Sequence, residues 1–116
     1  MNPDFASAYS NLGNLLRDLG DLQEAEFYVR RAIELNPDFA DAHTNLGNIL
    51  RDLSNLREAE IAFRKTIELN PNFVEAHSNL GNILIDLGKL KEAELLIKKA
   101  IELNPLLAEA YSNLGI

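Results

Sequence analysis

The stretch that decides the fold is NPDFADAHTNLG, residues 36–47, because its pattern recurs along the chain at a fixed interval. Its opening Asn-Pro pair and its closing Asn-Leu-Gly triplet each occur four times, always 34 residues apart. A constant period in the range of about 20–50 residues is typical of repeat proteins, in which each unit is one supersecondary structure. The period divides the chain, residues 1–116, into three full units, 6–39, 40–73 and 74–107, and a partial fourth unit, 108–116.

Each unit is predicted to hold two amphipathic helices, because apolar residues recur at spacings of three and four in both halves. Between the halves Gly20 permits a left-handed turn, and Asp21 with Glu24 is a candidate capping box, which Asn55 and Glu58 repeat. The Asn-Pro pair ends each second helix, since proline lacks a backbone donor and disfavours helical geometry before it. The apolar positions of the first unit are Ala8, Leu12, Leu15, Leu16 and Leu19, then Leu22, Ala25, Val29, Ala32 and Ile33.

A set of small, apolar and proline residues carries a family resemblance. Its members are Tyr9, Leu12, Gly13, Ala25, Ala32 and Pro37, then Leu46, Gly47, Ala59, Phe63 and Pro71, then Leu80, Gly81, Ala93, Ala100 and Pro105. In this pattern the chain resembles the tetratricopeptide repeat family. The resemblance implies an all-α fold, a right-handed α-solenoid of tandem 34-residue helix-turn-helix repeats. It also implies that Gly13 and Ala25 let paired helices approach closely. Ser54 in place of a turn glycine and Thr66 in place of a docking alanine predict a less regular middle unit.

Composition and charge exclude several classes of function. The chain has no cysteine, which removes disulfides, thiolate metal sites and thiol nucleophiles. Its formal net charge of −7 opposes binding to nucleic acid or to an anionic membrane surface. The same charge disfavours the RNA-reading pentatricopeptide repeat, which also lacks the Asn-Leu-Gly and Asn-Pro marks. Apolar runs are too short for a membrane span. We therefore expect a soluble, cytoplasmic protein that binds neither nucleic acid nor membrane.

The two histidines do not predict a catalytic or metal site. His43 and His77 lie one period apart, without a cysteine or a second histidine at ligand spacing. Thr44 follows His43, but adjacent helical residues point about 100° apart, so the two are no nucleophile–base pair. No glycine-rich phosphate loop is present. The sequence therefore predicts helix-packing histidines and a protein that is not an enzyme, with no cofactor and no metal.

The face of the first helices opposite their apolar stripe is the candidate binding surface. In tetratricopeptide repeat proteins this face lines a concave groove, and here it carries asparagines in two columns, with Ser10 and Thr44 beside them. An asparagine amide offers a donor and an acceptor, so such columns would hold the main chain of an extended peptide. The arrangement is similar to the asparagine-lined superhelix of O-linked GlcNAc transferase. The predicted contacts are Asn11, Asn45, Asn79 and Asn113, then Asn14, Asn48 and Asn82, with Arg17 and Arg51.

The charges of this face predict a protein or peptide ligand that is neutral or basic and extended. Six acidic residues share the face with the two arginines. The carboxylate clamp of chaperone-adaptor family members would need two asparagines, which Asn14 and Asn45 match, and three cations. Ser10, Glu75 and Asn79 occupy the cation positions instead, so the clamp is absent. The acidic residues are Asp18, Asp41, Asp52, Glu75, Asp86 and Glu109.

These patterns indicate a protein–protein interaction scaffold, with two alternatives left open. The array could be the excised substrate-recruiting arm of a larger enzyme, such as a glycosyltransferase, or a consensus-like structural array without a specific ligand. The sequence also predicts head-to-tail self-association, because each repeat buries an apolar face on the next and neither end of the array has a polar cap.

Overall fold

In a computed structural model of the chain, the described residues, 3–105 with side chains from Phe5 onward, form six α-helices and no strand. The partial fourth unit, and Asn113 within it, lie outside the described residues. Helices pack in antiparallel pairs, and each second helix then packs against the first helix of the following unit. The predicted all-α repeat solenoid is thereby confirmed. The helices are α1 (Pro3–Asp18), α2 (Leu22–Leu35), α3 (Ala40–Asp52), α4 (Leu56–Leu69), α5 (Val74–Asp86) and α6 (Leu90–Leu103).

Close approach within a pair depends on the glycine of the Asn-Leu-Gly triplet. A β-carbon added at Gly47 would lie 2.6 Å from Cε1 of Phe63, whose ring is fully buried. A β-carbon at Gly13 would collide in the same way with Val29 and the backbone oxygen of Ala25. The predicted role of Gly13 in helix approach is confirmed.

The turns between paired helices use the left-handed backbone region. Gly20 and Gly88 have φ values of +87° and +79°, and Ser54 occupies the same position in the middle unit with φ +64°. Because only glycine adopts this region without a steric cost, the turn of the middle unit is locally strained at Ser54.

The predicted capping boxes are wrong. Asp21 and Asn55 precede α2 and α4, but neither side chain makes a capping hydrogen bond. The backbone of Asp21 has φ −86° and ψ 68°, well short of the extended geometry in which an N-cap side chain reaches the first turn. The side-chain amide of Asn55 donates instead to the Glu58 carboxylate.

The connections between units are held by the two histidines. The Nε2 group of His43 donates to the backbone oxygen of Pro37 at 2.8 Å, and His77 donates to Pro71 at 2.7 Å. These bonds tie α3 and α5 to the Asn-Pro turns that precede them. The histidines therefore do more than pack, because they also link adjacent units.

Candidate functional site

The first helices α1, α3 and α5 line up side by side, and α1 also packs directly against α3. We call their common surface, on the side away from α2, α4 and α6, the first-helix face. An open depression of about 270 Å³ lies in it and brings together residues from all three units. The polar side chains that line its mouth are Ser7, Asn11, Asp41, Asn45 and Glu75.

Two of the predicted asparagines join neighbouring units to each other. The Nδ2 group of Asn45 donates to Oγ of Ser10 at 2.8 Å, and Nδ2 of Asn79 donates to Oδ1 of Asn48 at 3.1 Å. Asn48 is only 6% exposed, and Ser10 and Thr44 are buried as well. These three positions are less accessible than the sequence pattern predicted, because neighbouring first helices lie close enough to cover them.

Other predicted asparagines keep their amides available. Asn11 and Asn14 on α1 are exposed, and Asn82 on α5 is half-buried. None of these three amides takes part in a side-chain hydrogen bond within residues 3–105. The first-helix face therefore carries unpaired donors and acceptors in its first and third units.

The two arginines of this face differ in their pairing. Nε of Arg17 lies 2.6 Å from Oδ2 of Asp52 in the next unit, so this pair neutralises itself. Arg51 is half-buried and makes no ion pair with any residue that the structure describes. Asp41 and Glu75 are exposed at the depression, which leaves its mouth acidic.

Two aromatic residues that sequence reasoning missed also line the depression. Phe39 and Phe73 immediately precede α3 and α5. The backbone N–H of each donates to the backbone oxygen of the asparagine in the preceding Asn-Pro pair, at 3.1 Å. A search for helical stripes does not find them, because both precede a helix. Their recurrence at the 34-residue period was the signal that could have found them.

No group of three or more His, Asp or Glu side chains in residues 3–105 is placed to hold a metal ion. None of the six helices is both long enough and apolar enough to cross a membrane.

Comparison with known proteins gives a family and several similar structures. The tetratricopeptide repeat family matches three times, over residues 6–39, 40–73 and 74–105. A crystal structure of MamA is 31% identical, with a TM-score of 0.84, covering 93% of this chain and 63% of MamA. The chain therefore spans less than two thirds of that protein. No curated protein matches the sequence.

Two further structures share the fold at lower identity. The first TPR of Spaghetti (RPAP3), bound to HSP90 peptide SRMEEVD, is 22% identical with a TM-score of 0.88, over 100% of this chain and 98% of that one. The second TPR of the same protein, bound to the same peptide, is 23% identical with a TM-score of 0.86, over 89% and 95%.

Proposed function

Because the chain belongs to the tetratricopeptide repeat family, we propose that it is a non-catalytic scaffold whose first-helix face binds extended peptide segments of partner proteins. The observation that carries this proposal is the polar depression, where three consecutive units contribute hydrogen-bonding side chains to one concave surface. Support also comes from the two RPAP3 domains, since the same fold holds an HSP90 peptide there.

The contacts we assign to the ligand main chain are the amides without an internal partner. Asn11, Asn14 and Asn82 can each donate and accept at once, and each bond contributes about 0.5–1.5 kcal/mol. Asn45 keeps its carbonyl oxygen for the ligand, because only its Nδ2 group is engaged by Ser10. Asn48 and Asn79, which bond to each other, and Arg17, which pairs with Asp52, shape the surface, and Arg51 adds a cation to it. Asn113 would extend the column into the fourth unit.

The ligand chemistry that fits this surface is neutral or basic. Asp41 and Glu75 stand at the mouth of the depression and favour a cationic side chain. Phe39 and Phe73 add aromatic surface, which also attracts cations. An acidic peptide such as SRMEEVD should bind poorly, since Ser10 and Glu75 stand where a carboxylate clamp needs cations.

The test is a display screen with an unbiased library of extended peptides, followed by titration calorimetry. Asn11→Ala should weaken each selected ligand about two- to tenfold, with little dependence on ligand side chains. Gln23→Ala on the exposed side of α2 is the matched control and should change nothing. Ligands rich in Asp and Glu, or affinities unchanged in both Asn11→Ala and Asn14→Ala, would contradict the proposal.

A second interaction is favoured by the outer side of α1. Phe5, Leu15 and Leu19 are 60%, 55% and 67% exposed there, whereas Ile49, the counterpart of Leu15 in the next unit, is 0% exposed. We propose that this side docks head to tail on α6 of a second copy, where Leu90 is 63% exposed.

A further inference from the structure

A second depression, of about 490 Å³, lies between α2, α3 and α4. Its floor is α3, on which α2 and α4 both pack. Most of its surface is apolar, and Leu46 and Leu50 on the floor belong to the hydrophobic core. Its lining residues differ from those of the depression in the first-helix face, so a ligand here would be independent of the proposed function.

The small side chain of Ala62 accounts for this depression. By the 34-residue period, the counterparts of Ala62 are Tyr28 in the first unit and Leu96 in the third. Both counterparts are large, and Leu96 packs against the hydrophobic core. Ala62 lines the depression and leaves open the space that a larger side chain would fill.

The same difference is visible in the exposure of the two histidines. His43 lines the depression and is half-buried, whereas its counterpart His77 is only 5% exposed. Both rings make the same hydrogen bond to the preceding Asn-Pro turn. Leu96, which takes the place of Ala62 in the third unit, accounts for the additional cover of His77. The ring of His43 is therefore open to a ligand in the depression.

The first unit shows which kind of group fits beside His43. Tyr28 stacks there on Tyr9, with ring centroids 6.0 Å apart and ring planes at 14°. These two tyrosines occupy the places that Ala62 and His43 hold in the middle unit. Stacked rings at centroid distances of about 4.5–7 Å attract each other beyond the effect of buried area. A ring supplied by a ligand can therefore lie on His43 as Tyr28 lies on Tyr9.

The charged residues that line the depression already have partners. Each of them takes part in an ion pair, at distances between 2.9 and 3.9 Å. A charged ligand would give up its hydration here without meeting an unpaired opposite charge, which is unfavourable. The ligand that fits is uncharged. The four lining residues are Arg30, Glu34, Glu58 and Lys65.

We propose that this depression binds a small, uncharged aromatic molecule of one or two rings, with one ring stacked on His43. The hydrogen bond to Pro37 holds the His43 ring in place, and the apolar floor removes the ligand from water. The volume lies within the range of about 300–1,000 Å³ that is usual for small-molecule sites. The depression has ten lining residues, whereas a stable protein–protein interface uses about 20–30 residues on each side.

The experiment titrates the full chain with phenol and indole, and follows the backbone amide signals by NMR. The signals of His43 and Ala62 should shift, with a Kd on the order of 1 mM for each probe. Ala62→Leu, which copies the third unit, should weaken both probes at least about tenfold, because leucine fills the space of the ring. Ala8→Leu makes the same change at an exposed position of α1 and should leave both affinities unchanged. Far-UV circular dichroism should show both variants folded.

Two comparisons on the wild-type chain test the chemistry without any substitution. Cyclohexanol, the saturated counterpart of phenol, should bind at least about threefold more weakly, because it cannot stack on His43. Benzoate should also bind more weakly than phenol, because its charge is not matched in the depression. Asn11→Ala on the first-helix face should bind phenol and indole like the wild type, so the proposed function is tested separately.

Three results would overturn the proposal. The first is that phenol and indole leave the signals of His43 and Ala62 unchanged, or bind Ala62→Leu as tightly as the wild type. The second is that cyclohexanol or benzoate binds as tightly as phenol. The third is that neither probe binds at about 10 mM while peptides selected on the wild type lose affinity in Ala62→Leu. The occupant would then be a side chain of a partner protein.

Discussion

At the scale of single residues, Ser54 shows how one backbone angle limits stability. It holds φ +64° where the other units place Gly20 and Gly88. A residue with a β-carbon loses about 1–2 kcal/mol of stability in the left-handed region. Glycine avoids this cost, but its more flexible unfolded chain offsets about 0.5–1 kcal/mol of the gain. Ser54→Gly should therefore raise the free energy of unfolding by about 0.5–1 kcal/mol in urea titrations. The reciprocal Gly20→Ser should lower it by a similar amount, and a loss of stability in Ser54→Gly would refute the argument.

Glu60 provides a pH-dependent contribution at the same scale. Burial alone would raise the pKa of its carboxyl, but hydrogen bonds and charges from Arg64 and Lys89 outweigh burial and hold the pKa below its usual value of 4.5. A carboxyl whose folded pKa is lowered stabilises the fold above its unfolded pKa. That stability is lost as the pH falls through the folded value.

Glu60→Gln should accordingly lower the free energy of unfolding at pH 7 by up to about 1 kcal/mol. The loss would be measured as a lower melting temperature. The difference from wild type should shrink below pH 4.5. Glu68→Gln is the control. The Glu68 side chain is 73% exposed, and its ion pair with Lys65 is long, at 3.6 Å. A gap in melting temperature for Glu60→Gln that stayed constant down to strongly acidic pH would contradict this account.

The sequence predicted which residues share the first-helix face, but not which amides would be free. Asn11 and Asn45 occupy the same place in successive units, yet only Asn45 is engaged, by Ser10 of the preceding unit. That bond depends on how closely α1 and α3 approach, which the period alone does not specify. The buried position of Asn48 has the same origin.

At the scale of elements, the middle helix pair is tightly packed around a glycine. Gly47→Ala would gain about 1 kcal/mol of helix propensity, but its β-carbon would fall 2.6 Å from Phe63. Overpacking of this kind costs about 1–3 kcal/mol, so we expect a net loss of stability in denaturant titrations. In a double-mutant cycle, Phe63→Leu should reduce the penalty of Gly47→Ala by removing the ring atoms. An equal penalty in both backgrounds would show that Gly47 serves another purpose.

The ends of the elements were predictable where the chemistry is local. Leu35 ends α2 directly before the Asn-Pro pair, and Gly20 has the positive φ that its turn requires. The capping box at Asp21 failed because the tight turn sets the backbone of Asp21 at a ψ of 68°.

At the scale of the whole molecule, three surfaces differ in charge and polarity. The first-helix face is acidic and polar. The surface formed by α2, α4 and α6 is nearly neutral and exposes Phe27, Ile61 and Leu95. The outer side of α1 is apolar. The period repeats each surface once per unit, so a short array offers several equivalent contacts. The sequence predicted the first and third surfaces. It did not predict the second, because Phe27, Ile61 and Leu95 fall outside the packing stripe of the second helices.

The outer side of α1 makes the head-to-tail interaction testable. Leu15 is 55% exposed, and its counterpart Ile83 in the third unit is 0% exposed, because α4 covers the equivalent side of α5. Among residues 3–105, Leu90 and Ile97 on α6 line an open apolar depression of about 670 Å³, which we propose as the docking site for α1 of another copy. Such a contact joins different surfaces, so it propagates into a filament unless rotation closes a ring.

We expect the mean mass from light scattering to rise with protein concentration for the wild-type chain and to remain that of a monomer for Leu15→Glu. The substitution places a carboxylate in the apolar contact, where an unpaired charge is strongly unfavourable. Gln23→Glu adds the same charge at an exposed position of α2 and should associate like the wild type. Since Leu15 is already half exposed, its replacement should leave the unfolding transition nearly unchanged. At about millimolar concentration even a contact worth about 4 kcal/mol would be populated. A wild-type chain that is still monomeric there would therefore exclude the interaction.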